Sequence, residues 1–252
     1  MVIRTQYLER LRPFYDSELV KVITGIRRCG KSTILRQVIA EIKENGIEDS
    51  HIVYINFEDY KYHKLTDADA FYEYVEKKIV DESKYYLFFD EIQNVNNFEL
   101  VVNSFRATHN VSIFITGSNS KLLSGELATH LSGRTVSLRV LPFNFMEFCQ
   151  YKDISAPDYE TLLAEYMTYG GLPLVCGAAN KETKEVILNN IYDAVVLKDI
   201  VMRNKINSPL VLEKVLDYIV GNSSLTVSGN AIAGTLSSNG HKVSAPVVYD
   251  YL

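Results

Sequence analysis

The residues best suited to chemistry lie between positions 25 and 33. Gly25-Ile26-Arg27-Arg28-Cys29-Gly30-Lys31-Ser32 satisfies the spacing G-x-x-x-x-G-K-[ST] in full, with Thr33 following. Glycines at those positions let backbone N–H groups turn inward around phosphate oxygens. A helix opening just after them adds the positive end of its dipole to the same anion. Lys31 then reaches the β- and γ-phosphates, and the Ser32 hydroxyl is suited to ligate Mg²⁺. The loop predicts an ATP site contacted by Gly25, Arg28, Cys29, Gly30, Lys31, Ser32 and Thr33. The bland alternative is a Gly-rich turn that happens to precede Lys-Ser. Arg27 and Arg28 either touch phosphate or a neighbour's acidic surface, or simply point to solvent. Cys29, at a helix N-terminus among cations, is expected to favour its thiolate without being catalytic.

A second group stands sixty residues further on. Tyr85-Tyr86-Leu87-Phe88-Phe89-Asp90-Glu91 is an apolar run ending in two adjacent carboxylates. On a strand buried on both faces, Asp90 would hold Mg²⁺ or its waters, and Glu91 would polarise the water attacking the γ-phosphate. Such a run is common alone; after the loop above, the pair is specific. The next apolar run ends in Gly117-Ser118-Asn119-Ser120, where Asn119, or second Ser118, could contact the γ-phosphate; an ordinary strand-to-helix turn is the other reading. Arg134, preceded by Gly133, is either an arginine finger, in cis or from a neighbouring subunit, or a solvated loop residue.

These groups need a scaffold, and the pattern of the first 145 residues supplies one. Apolar runs at Leu19–Thr24, His51–Phe57, Tyr85–Phe89, Val111–Thr116 and Thr135–Leu141 alternate with helical spacing at Thr33–Glu44, Ala68–Val80, Asn97–Ala107 and Lys121–His130. The runs are too continuous for half-exposed strands, so an α/β parallel sheet covered on both faces is predicted. The polar stretch Asp153–Asp158 marks a boundary. We therefore expect an ATPase domain over 1–150, a helical lid-like region over 151–206 and a helix-turn-helix or winged-helix-like segment over 207–252. In the helical regions Tyr159–Tyr169 and Glu182–Lys205 are amphipathic. Ser208-Pro209 opens a helix that Gly221 closes, and Thr226–Leu236 and Ala245–Leu252 flank an Asn239-Gly240 turn.

Composition narrows the classes. The chain has 252 residues and a net charge of −5. Residues 1–40 carry eight Lys/Arg against three Asp/Glu, while residues 41–100 carry six against fifteen. A basic segment in an acidic chain fits a local anionic ligand better than a whole-protein nucleic-acid footprint. There is no membrane-length apolar window and no signal-peptide pattern, and the three cysteines match no metal or disulfide framework. A cytoplasmic protein with reduced thiols is expected. The five dispersed histidines predict no structural zinc, and Phe71-Tyr72-Glu73-Tyr74 reads as a half-buried helix face rather than an aromatic platform.

Taken in order, the motifs resemble a known group. Ile23–Thr33, Tyr54–Asp59, Phe89–Gln93, Ile115–Ser120, Leu131–Arg134 and Leu141–Phe148, with weaker matches at Gly170-Gly171-Leu172-Pro173 and Lys198-Asp199-Ile200, are similar to predicted AAA-superfamily P-loop ATPases of bacteria and archaea. Members of that group carry a helix-turn-helix segment and a C-terminal endonuclease-like domain of unknown function. The resemblance implies a central sheet in the order 5-1-4-3-2, nucleotide at the end of the first strand, and ATP hydrolysis. It supplies no client. No endonuclease-like domain follows here, and Val248, Tyr251 and Leu252 form an apolar stripe with no C-cap, so the native protein is expected to continue past Leu252.

The leading expectation is Mg-dependent ATP hydrolysis coupled to a conformational change acting on an unknown protein client, with homo-oligomerisation required if Arg134 acts in trans. A nucleotide-gated DNA-binding module is the alternative; residues 221–252 hold one Lys and no Arg, which is little for phosphate contacts. A helicase would need a second motor half. In a small-molecule kinase an acceptor would take the place of water, which the Asp90-Glu91 pair favours.

Overall fold

The computed structural model describes residues 2–117, 131, 133–153, 158–201, 206 and 208–252, the side chains of 196–199 excepted. The chain divides into two compact units, Met1–Glu185 and Val186–Leu252.

The first unit is built on five parallel strands: β1 Val20–Gly25, β2 Ile52–Asn56, β3 Tyr85–Asp90, β4 Val111–Gly117 and β5 Thr135–Val140. Their order is β2-β3-β4-β1-β5, which read from the other edge is 5-1-4-3-2. β1, β3 and β4 are buried along their whole length. The period-two alternation of a strand then divides their side chains between two cores. Tyr85, Leu87 and Phe89 join Val20, Val22, Ile113 and Ile115 in one core, under helices α3 (Ala68–Glu76) and α4 (Phe98–Thr108). Tyr86 and Phe88 join Ile23, Phe114, Leu138 and Val140 in the other, under α1 (Thr5–Leu11) and α2 (Lys31–Glu44). Ile34, Leu35, Val38 and Ile42 make the buried stripe of α2 at helical spacing.

Past β5, Asn144 caps α5 (Phe145–Lys152): its side chain accepts from Glu147 N–H at 2.9 Å while Glu147 accepts from Asn144 N–H at 3.0 Å. Helices α6 (Tyr159–Tyr169) and α7 (Pro173–Cys176) follow. Phe143, Phe148, Leu162 and Cys176 form a small core there together with Val2 from the chain's start. Gly171 makes this packing feasible. Its carbonyl accepts from Phe143 N–H at 2.7 Å, and a Cβ at Gly171 would collide with the Phe143 carbonyl.

The chain runs on through α8 (Lys181–Asp193), which crosses the division between the units. The continuous helix expected over Glu182–Lys205 instead changes at Asp193 into π geometry over Ala194–Val201. α9 (Pro209–Gly221), α10 (Gly229–Ser238) and α11 (Ala245–Tyr251) pack around Val215, Ile232, Leu236 and Val248. Ser208 precedes α9 without a side-chain capping bond, so proline at N1 is what marks that start. α10 opens three residues later than expected because Ser228, which accepts from Ala231 N–H at 3.2 Å, is its cap. No helix among the described residues is long and apolar enough to cross a membrane.

Candidate functional site

β1 ends in the glycine that opens the phosphate-binding loop, and α2 begins at that loop's lysine. Gly25 has no room for a side chain: a Cβ would strike the Val140 carbonyl and lie 2.7 Å from Cys29 Sγ. Gly30, at φ +104°, turns the chain into α2. Arg28 is exposed and takes a left-handed conformation at φ 63°, a conformation uncommon for a side-chain-bearing residue. Ser32 and Thr33 occupy the first turn of α2, whose early N–H groups have no intrahelical partner.

Lys31 is buried at 4% exposure, with its ammonium 3.3 Å from the Gly25 carbonyl and 3.4 Å from Glu91 Oε1. The two motifs, sixty residues apart, therefore meet in one ion pair. Asp90 is fully buried at the carboxyl end of β3. Its Oδ1 accepts from the Thr116 hydroxyl and its Oδ2 from the Tyr54 hydroxyl at 3.0 Å. Burial and the neighbouring Asp90 push the Tyr54 phenol up to about 12, so it stays a donor. Thr116 Oγ1 also accepts from Glu91 N–H at 3.0 Å. Glu91 itself is left-handed at φ 54°, and the Gln93 side-chain amide donates to its Oε2. Such backbone strain persists only where surroundings over-determine it; here Thr116, Gln93 and Lys31 do so.

Glu58, two residues beyond β2, faces the same group. Partial burial and the Glu91 and Asp90 carboxylates raise its pKa, against the pull of Arg27 and Lys31. Beside the loop lies a cavity of about 130 Å³ lined by Val2, Arg4, Gly30, Thr33, Phe143, Tyr151 and Pro173. Thus Gly25, Gly30, Lys31, Ser32, Thr33, Asp90 and Glu91 gather at the carboxyl edge of the sheet. Asn119 and Ser118 lie outside the described residues, as does the expected helix Lys121–His130.

Two expectations read differently in three dimensions. The Cys29 thiolate is a correction: Cys29 has no exposed surface, and burial raises its pKa more than Lys31 and Arg4 lower it. It packs as an apolar residue with Ile23, Ile34 and Val140. Arg134 is not brought to the site of its own chain. Its carbonyl accepts from Val20 N–H, and Thr135 pairs with Val20, so it stands at the amino edge of the sheet. There its exposed side chain reaches Asn103 Oδ1 at 3.4 Å. The site residues missed by sequence reasoning are Tyr54, Glu58, Gln93, Thr116 and Arg4. Tyr54 and Glu58 belong to the Tyr54–Asp59 run, Gln93 to Phe89–Gln93 and Thr116 to Ile115–Ser120, so the family likeness touches these four without giving their roles, and it does not reach Arg4.

Comparison with known proteins accords with this geometry. A family model described as an AAA domain matches residues 17–149. The chain belongs to this AAA family. A second model, for a domain of unknown function, matches residues 160–252. An uncharacterized protein of Haemophilus influenzae is 38% identical over 255 residues, covering the whole chain and 64% of that protein. Another, of Methanocaldococcus jannaschii, is 32% identical over 242 residues, covering 92% of this chain and 53% of its own length. The chain thus spans between half and two thirds of these relatives. Among solved structures, a Walker-type ATPase of Pyrococcus abyssi has a TM-score of 0.65 at 14% identity over the whole chain and 88% of its own. The Aeropyrum pernix ORC1 protein, solved with DNA, has a TM-score of 0.52 at 14% identity over the whole chain and 82% of its own. At such identities the likeness is one of fold, and the fold is that of a P-loop ATPase.

Proposed function

We propose that this AAA protein binds Mg-ATP at the carboxyl edge of β1 and β3 and hydrolyses it. The observation that carries the reading is the Lys31–Glu91 pair at 3.4 Å, which sets the phosphate-seeking cation beside an acid suited to act on water. Gly30, Lys31, Ser32 and Thr33 offer backbone N–H groups to the phosphates, and the cavity between Val2, Thr33, Phe143 and Tyr151 has the apolar and aromatic lining of a base pocket.

The residues present fit magnesium. Ser32 and Asp90 offer hard oxygen donors, and Asp90 is held fully buried by two hydroxyl donors. Magnesium is commonly held by one or two carboxylates together with substrate phosphates and water, and Ser32 and Asp90 would supply the protein's share. When bound, Mg²⁺ would offset the negative charge of the phosphates. Glu91 then serves as general base: phosphate draws Lys31 away, leaving Glu91 Oε1 to take a proton from water while Gln93 steadies Oε2. Asn119 contacts the γ-phosphate, and Arg134 acts on a neighbouring copy. Turnover drives a conformational change in the helical regions, 151–206 and 207–252, toward a protein client, and the protein works in the cytoplasm.

Lys31→Ala should weaken ATP binding at least tenfold and abolish turnover; hydrolysis at the wild-type rate would remove the assignment. Glu91→Gln should still bind ATP, by calorimetry, while hydrolysis falls by a factor of about 10² or more. Normal hydrolysis in that variant would take the base role from Glu91.

A further inference from the structure

Arg4 is 2% exposed and lies sixteen residues before β1, outside every motif. Its guanidinium is shared among three elements. Nε donates to Glu147 Oε1 in α5 at 2.6 Å, Nη2 to the Leu141 carbonyl at 3.1 Å, and Nη1 to the Cys29 carbonyl in the phosphate-binding loop at 3.3 Å. The Tyr7 and Phe143 rings lie 4.6 and 5.1 Å from it. The backbone N–H of Arg4 is itself fixed on Gln37 of α2, whose amide also holds the Val2 carbonyl.

A trans peptide points its C=O and N–H in opposite directions. Holding the Cys29 carbonyl on Arg4 therefore aims the Gly30 N–H away from Arg4, toward the interior of the loop. That N–H is a donor the phosphate cradle needs. The guanidinium lies beside Gly30, with Arg4 Nη1 in ordinary contact at 3.8 Å from where a Cβ there would stand. Glu147 is doubly engaged, because its other oxygen closes the α5 capping box on Asn144 N–H. The set of the loop peptide is thereby tied to whether α5 is docked.

We propose that Arg4 is a positioning residue for phosphate binding: through the Cys29 carbonyl it orients the Gly30 N–H, and through Glu147 it makes that orientation depend on α5. The inference rests on the nucleotide reading above. Because Arg4 also lines the base pocket, loss of affinity alone would not separate the two roles. The β-phosphate increment, the ratio of the AMP to the ADP dissociation constant, does, since damage to the base pocket cancels.

The experiment measures that ratio by calorimetry for the wild type, Arg4→Lys, Glu147→Gln and the double variant, with circular dichroism checking that each is folded. Lysine keeps the charge but lacks the fork. Arg4→Lys should lower the increment about tenfold, Glu147→Gln about threefold, and the double variant no further than Arg4→Lys. An unchanged increment in folded Arg4→Lys would overturn the proposal, and strictly multiplicative losses would overturn its link to α5. Should Arg4→Lys not fold, Glu147→Gln decides, because its amide retains an oxygen to cap α5: an unchanged increment there overturns the proposal. Wild-type protein that binds neither ADP nor AMP would instead overturn the nucleotide reading itself.

Discussion

At the scale of single residues, Cys29 shows how a local rule yields to burial. Its neighbours in sequence, Arg27, Arg28 and Lys31, argue for a thiolate. Its neighbours in space are Ile23, Ile34 and Val140, and desolvation of the charged form outweighs the pull of Lys31 and Arg4. Cys149 is only partly buried, whereas burial pushes Cys176 up to about 11. Iodoacetamide on the native protein near pH 8 should therefore label Cys149 well before Cys29 or Cys176. Faster labelling of Cys29, read by peptide mass spectrometry, would contradict its burial. The same contrast explains which site residues were legible. Gly30, Lys31 and Ser32 announce themselves because their spacing alone implies phosphate. Thr116 and Tyr54 do not, because their value lies in register: β2 and β4 flank β3, with Asn56 opposite Asp90 and Ile115 opposite Phe89. Strand pairing between residues 34 positions apart, as for Asn56 and Asp90, or 26 apart, as for Phe89 and Ile115, does not show in a motif. Arg4 is still less legible, since three of its partners are backbone or side-chain atoms 25 to 143 positions away.

At the scale of elements, the strands were the most readable part because double burial forces near-continuous apolar runs. β1 carries an exception that the run conceals. Lys21 is fully buried, with its ammonium 2.7 Å from Ser112 Oγ, 3.1 Å from the Ser17 carbonyl and 4.5 Å from the centre of the Phe114 ring. Burial, aided by Lys84 and opposed by Asp16, lowers its pKa to about 7. The unfolded chain would keep this lysine protonated to about 10.4. Between those values the unfolded state binds one more proton, so stability rises with pH and is lowest below about 7. The limiting slope for one proton is about 1.4 kcal/mol per pH unit. Lys21→Met should therefore flatten the denaturation midpoint against pH between 7 and 10, with its advantage over wild type largest near pH 7 and shrinking above. An unchanged slope in the variant would place the titrating group elsewhere. Helix ends were less legible: the start of α10 depends on Ser228 rather than on the apolar pattern, and the π stretch after Asp193 keeps an apolar periodicity that looks like ordinary helix.

At the scale of the whole molecule, the position of Arg134 carries the argument about assembly. The loop and Arg134 sit at opposite ends of paired strands, because Val20 pairs with Thr135 and Gly25 with Val140. At about 3.3 Å per residue, β1 separates them by about 16 Å along the sheet. A guanidinium must lie within contact distance of the transferring phosphate to stabilise it, so Arg134 cannot be a finger in its own chain. A finger role then requires a head-to-tail contact, in which the amino edge of one sheet approaches the carboxyl edge of the next. Such heterologous contacts close into rings or grow into filaments. The consequence is a complementation test on the proposed ATPase. Arg134→Ala retains an intact site but offers no finger, while Glu91→Gln retains its finger but no base. Each alone should be nearly inactive, and mixing them should restore a sizeable fraction of wild-type turnover, because half of the mixed contacts place an intact Arg134 beside an intact Glu91. Wild-type turnover per molecule should also rise with protein concentration until assembly is complete. If Arg134→Ala alone hydrolyses ATP as the wild type does, Arg134 is a surface residue bound to Asn103 and nothing more. If it is inactive yet unrescued by Glu91→Gln, its part is played at the amino edge of its own sheet, where Arg106 and Glu18 also meet.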